Sequence, residues 1–423
     1  MSAPPALPHS IVILGGGVAG FSAAQELRAR GYGGVLTILS PEGLPYDRPP
    51  LSKGYLLGTE DSAKILFAPA RWYGEHDVAV VASRATALDA SGQNPSVTLD
   101  DGRVLAADRI LLATGGLPRR LAIPGGQHAL TLRSRADADA LRRVLVPGAR
   151  IVIVGAGLIG AEVASAAASL GGNVTLIDPI DLPLGPAMGE HLARRLHAMH
   201  AEHGVRTVTG LPAAIEDGTH DAAPHLVRLA DGRSVPADIV VAGIGITPDT
   251  DVAEAAGLDV DDGILVGSDG STSRPAIFAA GDATRTRRPD DVVRGGAARR
   301  AKHWEAAVRS GQAAAAGLLG QAPAEFGAPW FWSDRYGVHA EAVGTMDARQ
   351  EPGARVVLRT EDGTVTGVPA AAFLLAEDGR LLGCAAVDQP LVVRAARRII
   401  DRGIIPDPER LADPTVDPRK LAR

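Results

Sequence analysis

Two glycine-rich turns of one design leave this chain little choice of fold. The first copy reads Ile11-Val12-Ile13-Leu14-Gly15-Gly16-Gly17-Val18-Ala19-Gly20. The second reads Ile151-Val152-Ile153-Val154-Gly155-Ala156-Gly157-Leu158-Ile159-Gly160. Each is a short apolar, β-branched run that breaks into G-x-G-x-x-G and opens a helix-like segment. The first glycine of such a motif turns the chain tightly out of a strand. The second lets the backbone approach a pyrophosphate, and the third lets the new helix lie close on the strand. A phosphate then meets unpaired N–H groups at the positive end of a helix. Both segments run on to a glycine, Gly31 and Gly171. Both are followed by a second strand, Leu36-Thr37-Ile38-Leu39-Ser40 and Val174-Thr175-Leu176-Ile177-Asp178. One such unit holds one dinucleotide, so two imply two dinucleotides with electrons passing between them.

The ends of those second strands carry different chemistry. Asp178 offers a carboxylate to ribose hydroxyls. The next residues, Pro179, Ile180 and Asp181, supply no cation for a 2′-phosphate. That pattern predicts NADH rather than NADPH at the second turn. In the first copy Ser40 stands at the place equivalent to Asp178. Glu42, two residues on, is either a substitute ribose acceptor or a solvated loop acid.

Composition narrows the class. A chain of 423 residues suggests about three domains, and its core is large enough to need no staples. No apolar stretch is long enough to span a bilayer, and Met1 to Ser10 lacks the order of a signal peptide. A soluble, cytoplasmic protein is expected. A net charge of −6 gives no reason to expect nucleic acid as partner. Cys384 is the single cysteine, so no intramolecular disulfide can form and electrons have no dithiol relay. Its expected role is a small core residue.

The organisation follows from the repeats. Residues 1 to about 115 read as β-α-β with further strands, ending in Arg109-Ile110-Leu111-Leu112-Ala113-Thr114-Gly115. Residues 116 to 245 repeat the scheme and end in Ala237-Asp238-Ile239-Val240-Val241-Ala242-Gly243-Ile244-Gly245. A return strand leads into Gly281-Asp282, then an Ala-rich helix from about Ala297 to Leu319. From Pro329 aromatics and short strands appear, punctuated by Glu361-Asp362-Gly363 and Glu377-Asp378-Gly379. An amphipathic helix over Leu391 to Arg402 is expected to stop at Gly403.

These residues, taken with Leu44-Pro45-Tyr46-Asp47-Arg48-Pro49-Pro50-Leu51-Ser52-Lys53, Ala280-Gly281-Asp282 and Pro329-Trp330-Phe331-Trp332-Ser333-Asp334, resemble the FAD-dependent, NADH-dependent ferredoxin reductases of bacterial cytochrome P450 and Rieske-type oxygenase systems. The likeness covers nearly the whole chain. It implies an α/β fold with two Rossmann-like dinucleotide-binding domains, one for FAD and one for NAD, plus a C-terminal α+β domain. The expected bounds are 1–115 and 246–325 for FAD, 116–245 for NAD, and 326–423 for the C-terminal domain. Two departures stand out: the family usually has an acid where Ser40 stands and a glutamate where Lys302 stands.

The resemblance also implies site residues. Gly15, Gly17, Ala19, Gly20, Arg48, Lys53, Ala85, Thr114, Arg133, Asp282 and Trp304 are the FAD contacts. Gly155, Gly157, Gly160, Glu162, Asp178 and Gly245 serve the nicotinamide cofactor. Lys53, Glu162 and Trp332 are the catalytic candidates, with Lys53 beside the flavin and Glu162 pairing with it. Without the motif, Arg48 and Lys53 read as loop cations, Asp282 as a helix cap, and Trp330 and Trp332 as core aromatics. His303 reads as structural, since hydride transfer needs no base. A basic run of Arg285, Arg287, Arg288, Arg294, Arg299, Arg300 and Lys302 is either a solvated helix face or a docking surface for an acidic two-iron ferredoxin. No metal site is apparent. The expected chemistry is hydride transfer from NADH to FAD and single electrons onward to the ferredoxin. Two alternatives remain: an NADH oxidase or quinone-type reductase, and an NADH-gated flavoprotein like the apoptosis-inducing ones.

Overall fold

The computed structural model describes residues 7–92, 94–218, 223–286 and 303–422. The chain divides into two compact units, each assembled from separate segments. One comprises Met1–Arg48, Asp61–Leu117 and Ile246–Phe326, the other Pro49–Glu60, Pro118–Gly245 and Gly327–Arg423.

In the first unit five strands form a parallel sheet in the order Ile277–Ala279, Arg109–Leu112, Ser10–Leu14, Val35–Leu39 and Val78–Val81. Parallel strands are covered on both faces, which is why their sequences are apolar throughout rather than alternating. Ile11 and Ile13 point to a cluster with Phe21, Leu27 and Leu318, on the helices Val18–Ala29 and Trp304–Leu318. Val12 and Leu14 point the other way, to Leu88, Val97 and Leu99 of a three-stranded antiparallel sheet. The two helices approach closely because small residues line the contact. A side chain at Gly311 would collide with the Ala19 carbonyl.

The second unit repeats this layering. Its parallel sheet runs Arg206–Thr209, Asn173–Asp178, Arg150–Val154, Ile239–Ala242. Ile151 and Ile153 face the helix Leu158–Ser169 through Val163 and Ala167. Val152 and Val154 face Ile215, Val227 and Val235 of a second three-stranded antiparallel sheet. The repetition expected from the closing strands therefore extends to both layers.

The same unit holds a five-stranded antiparallel sheet in the order Trp330–Arg335, Val338–Gly344, Leu381–Val387, Pro369–Leu375, Arg355–Thr360. Its first hairpin turns at Tyr336 and Gly337, both with positive φ (52° and 75°), the backbone a two-residue primed turn demands. Ala371, Phe373 and Leu375 face the helix Pro390–Arg402, whose C-cap Gly403 is left-handed. Ala372 and Leu374 face Leu192 and Leu196 of the helix Gly185–Glu202. Cys384 is fully buried among the first set, and that burial pushes its thiol up. No helix among the described residues is long and apolar enough to cross a membrane.

His200, on the helix Gly185–Glu202, is almost fully buried, and its Nδ1 lies 2.7 Å from the Tyr336 hydroxyl. Burial, reinforced by Arg335, pushes its pKa down to about 3. The unfolded imidazole binds a proton below its ordinary value of 6.5 while the folded one stays neutral, so stability rises with pH across that window. Unfolding free energy is expected to fall by up to about 1.4 kcal/mol per pH unit below pH 6.5. His200→Asn should flatten that slope in urea titrations at stepped pH; an unchanged slope refutes the assignment.

Candidate functional site

In the first unit the strand Ser10–Leu14 ends at Gly15, whose φ of 120° excludes an ordinary side chain. A Cβ there would collide with the Ala113 carbonyl, and one at Gly20 with the Gly15 carbonyl. Gly17 caps the following helix with open space in front of it and no side chain on the cap. The backbone N–H groups of the first turn thus face a cradle that any larger residue would fill, which suits a pyrophosphate. Ser40 is buried, and its Oγ occupies the space a Cβ at Gly16 would need. Glu42 accepts from the Tyr46 hydroxyl at 2.7 Å.

Of the other first-unit candidates, Thr114 and Asp282 lie beside this loop. Asp282 lies in the turn Gly281–Ala283, and a Cβ at Gly281 would sit 2.8 Å from that of Ala19. Thr114 donates its hydroxyl to the Asp249 carbonyl at 2.6 Å. Trp304 Nε1 donates to Asp47, the neighbour of Arg48, at 2.8 Å. Ala85 begins the strand Ala85–Asp89 and packs on Leu88's cluster. His303 caps the helix Trp304–Leu318 through its own ring, accepting from Ala306 N–H, and burial lowers its pKa. Of the basic run, Arg285 pairs with Asp261 at 2.9 Å. Arg287, Arg288, Arg294, Arg299, Arg300 and Lys302 lie outside the described residues, as does the expected helix start at Ala297.

In the second unit Gly155 (φ 100°) leaves 2.5 Å between a built Cβ and the Gly243 carbonyl. Gly160 packs on the Gly155 carbonyl, and Gly157 and Gly245 face open space. Asp178 ends its strand with both oxygens oriented by backbone donors. Oδ2 accepts from Ala156 N–H at 2.7 Å and Oδ1 from Ile180 N–H at 2.9 Å. The carboxylate is thereby fixed beside the glycine loop. Arg133 donates its backbone N–H to Asp137 at 2.9 Å, within the capping box of Ser134.

Arg48 and Lys53, five residues apart, fall in different units. Lys53 belongs with Glu162, and the structure brings them together: Nζ lies 3.4 Å from Glu162 Oε1. The Glu162 carboxylate is only 4% exposed. A buried carboxylate must be hydrogen-bonded or paired, and here Ser52 donates to Oε2 at 2.6 Å and Ser333 to Oε1 at 2.7 Å. Lys53 is shared with Asp334, 3.1 Å away, and lies over the Trp332 ring at 5.3 Å. Trp332 stacks on Trp330 at 5.0 Å. Burial raises the pKa of Asp334, but hydrogen bonding from His339 and the Lys53 charge outweigh it and hold it below the ordinary value. Arg335, buried behind the site, donates to Ser333 at 3.1 Å. Its desolvation lowers its pKa while Glu162 opposes that.

Sequence reasoning did not single out Ser52, Ser333, Asp334, His339 or Glu341. Asp334 had a signal: strand alternation puts it on the same side as Trp330 and Trp332. Ser52 and Ser333 had none, since nothing local distinguishes a hydroxyl that will meet a carboxylate more than a hundred residues away.

Two phosphate cradles of this kind, the second with an ordered acid beside it, define an oxidoreductase that binds FAD and a nicotinamide dinucleotide. Residues 9–311 match the pyridine nucleotide-disulphide oxidoreductase family and residues 330–422 the reductase C-terminal family. The chain belongs to the pyridine nucleotide-disulphide oxidoreductases, in the group of ferredoxin–NAD(+) reductases. It is 39% identical to the ferredoxin–NAD(+) reductase component of the anthranilate 1,2-dioxygenase system of Burkholderia cepacia, over 98% of both chains. It is 32% identical to putidaredoxin reductase of Pseudomonas putida, over 97% of this chain and 96% of that one. Its fold matches the reductase in a crystal structure of the covalent putidaredoxin reductase–putidaredoxin complex, with TM-score 0.86, 30% identity and 98% of both chains covered.

Ser333→Ala leaves Glu162 Oε1 to Lys53 alone and removes the acceptor of Arg335. The expected loss in unfolding free energy is about 1–3 kcal/mol. Urea denaturation showing no loss would mean that water replaces the hydroxyl.

Proposed function

We propose that this protein is an NADH-dependent ferredoxin reductase, supplying single electrons to a small two-iron ferredoxin of an aromatic-ring dioxygenase or cytochrome P450 system. The observation that carries this reading is full-length similarity to a reductase captured with its own ferredoxin, in a chain whose single cysteine is buried. Despite the family's name, no dithiol can relay electrons here, so they must go directly to an external acceptor.

FAD, when bound, would supply a two-electron acceptor for hydride and a one-electron donor for an iron–sulfur partner. The rest is the work of this chain's residues. Gly15, Gly17, Ala19 and Gly20 hold the FAD pyrophosphate at the start of the first helix, with Arg48, Ala85, Thr114, Arg133, Asp282 and Trp304 as its further contacts. Gly155, Gly157, Gly160 and Gly245 do the same for NADH, and Asp178 accepts from its ribose hydroxyls. The fixed acid at Asp178 disfavours a 2′-phosphate, and Pro179, Ile180 and Asp181, which follow it directly, supply no cation to offset that. Lys53 places a positive charge where negative charge develops during reduction. Glu162 orients Lys53 and borders the nicotinamide, and Trp332 packs beside Lys53 as a rigid wall. We assign the domains as 1–115 with 246–325 for FAD, 116–245 for NAD and 326–423 for the C-terminal domain, and place the protein in the cytoplasm with its donor. The ferredoxin is expected to be acidic and to dock on the basic run from Arg285 to Lys302. Higher salt then slows its reduction by screening the encounter.

Stopped-flow measurement of flavin reoxidation tests the reading. A two-iron ferredoxin should reoxidise the NADH-reduced protein far faster than oxygen does; equal rates would instead favour an oxidase. Lys53→Met should slow reduction by NADH by roughly 10- to 100-fold, with circular dichroism unchanged; wild-type reduction kinetics would remove Lys53 from the site. Asp178→Ala should weaken NADH binding by about tenfold, the loss of roughly one good hydrogen bond to a charged group. NADPH proving the better donor for the unaltered protein would overturn the assignment of Asp178.

A further inference from the structure

The groups around Lys53 form a closed ring. Lys53 reaches Asp334 Oδ2 at 3.1 Å, and the other oxygen, Oδ1, meets His339 Nδ1 at 2.5 Å. His339 Nε2 lies 3.7 Å from Glu341 Oε2, an oxygen that has no hydrogen-bond partner of its own. Glu341 Oε1 accepts from Trp330 Nε1 at 2.9 Å. Trp330 stacks on Trp332, and Trp332 returns to Lys53. Glu341 is 7% exposed and Trp330 partly buried, so that side of the ring is fixed. The backbone N–H of His339 is itself tied to Asp388 Oδ1 at 2.9 Å. A carboxylate offers only acceptors, so His339 Nδ1 carries the hydrogen and donates it to Asp334.

Lys53 therefore has two carboxylates to choose between. Glu162 is held by Ser52 and Ser333 whatever Lys53 does. Asp334, about two-fifths exposed, would be free to turn toward water if His339 released it. Lys53 would then settle on Glu162 alone. We propose that His339 is a positioning residue: by clamping Asp334 it keeps the Lys53 ammonium suspended between Asp334 and Glu162, at the place where hydride transfer needs it. This rests on the functional reading given above for Lys53 and Glu162. The contacts sit at a half-exposed rim, so a modest effect is expected, below the ~100-fold cost that a misplacement of about 1 Å can carry.

The test uses the FAD-loaded protein and three variants, His339→Ala, His339→Asn and His339→Gln. The asparagine amide reaches the place of Nδ1, whereas the glutamine amide reaches that of Nε2. His339→Ala should slow flavin reduction by NADH about 3- to 10-fold, on the scale of small misplacements, and change the NADH dissociation constant by less than about twofold. It should also move the flavin midpoint potential to a more negative value, because Lys53 no longer stabilises the reduced form. His339→Asn should restore both rate and potential, and His339→Gln should not. Asp334→Asn combined with His339→Ala should be no worse than Asp334→Asn alone, since both act through one contact. Wild-type rate and potential in His339→Ala, equal behaviour of the Asn and Gln variants, or additive losses in the double variant would each overturn the proposal. Lys53→Met separates the two claims. If it slows reduction while the His339 variants do not, only the clamp fails; if it has no effect, the functional reading itself fails.

Discussion

A single buried carboxylate organises the second unit. Glu162 sits on the first turns of the helix Leu158–Ser169, where burial would be costly for a charged group without partners. Its partners come from far apart in sequence: Ser52 and Lys53 from one segment, Ser333 from the strand Trp330–Arg335. Satisfying that one charge ties three stretches of chain together. It gives a physical reason for the short segment Pro49–Glu60 to group with residues far along the chain rather than with its own neighbours. The remaining contacts of Lys53, to Asp334 and Trp332, then define the geometry of a site rather than the existence of a fold.

The two glycine loops show how one architecture is adapted twice. In both, a parallel sheet is covered on one face by the loop helix and on the other by a three-stranded antiparallel sheet. The strand ends differ. Asp178 is fastened to backbone donors beside its loop, while Ser40 packs its hydroxyl under Gly16. The acid nearby, Glu42, is engaged by Tyr46. Where the second strand ends in an ordered acid the first ends in a packed hydroxyl, so the two strand ends present different chemistry.

Much of this was legible from the residues in order. The glycine motifs, both β-α-β repeats, the core position of Cys384 and the amphipathic helix ending at Gly403 follow from local rules: tight turns, apolar periodicity and a left-handed cap. The Lys53–Glu162 pair is implied by resemblance, and in the structure its charged atoms lie 3.4 Å apart. Ser52, Ser333, His339 and Glu341 were not legible. Ser52 and Ser333 are ordinary polar residues whose partner is chosen by the packing of another segment, whereas His339 and Glu341 meet Asp334 and Trp330 across one hairpin, whose register brings them together. The covering of the C-terminal sheet was also hidden, because the helix Gly185–Glu202 carries no mark saying which sheet its Leu192 and Leu196 will meet.

The sequence by itself determined that this chain builds two dinucleotide cradles, which depend on residue type at fixed short spacing, and that it has no pair of cysteines, which is a matter of count alone. Only the tertiary structure decided which hydroxyls hold Glu162 and that Asp334 shares Lys53 with it. Electrostatic satisfaction of a buried charge depends on distance in space, and distances of a few ångströms between residues 52, 162 and 333 are set by the whole packed core.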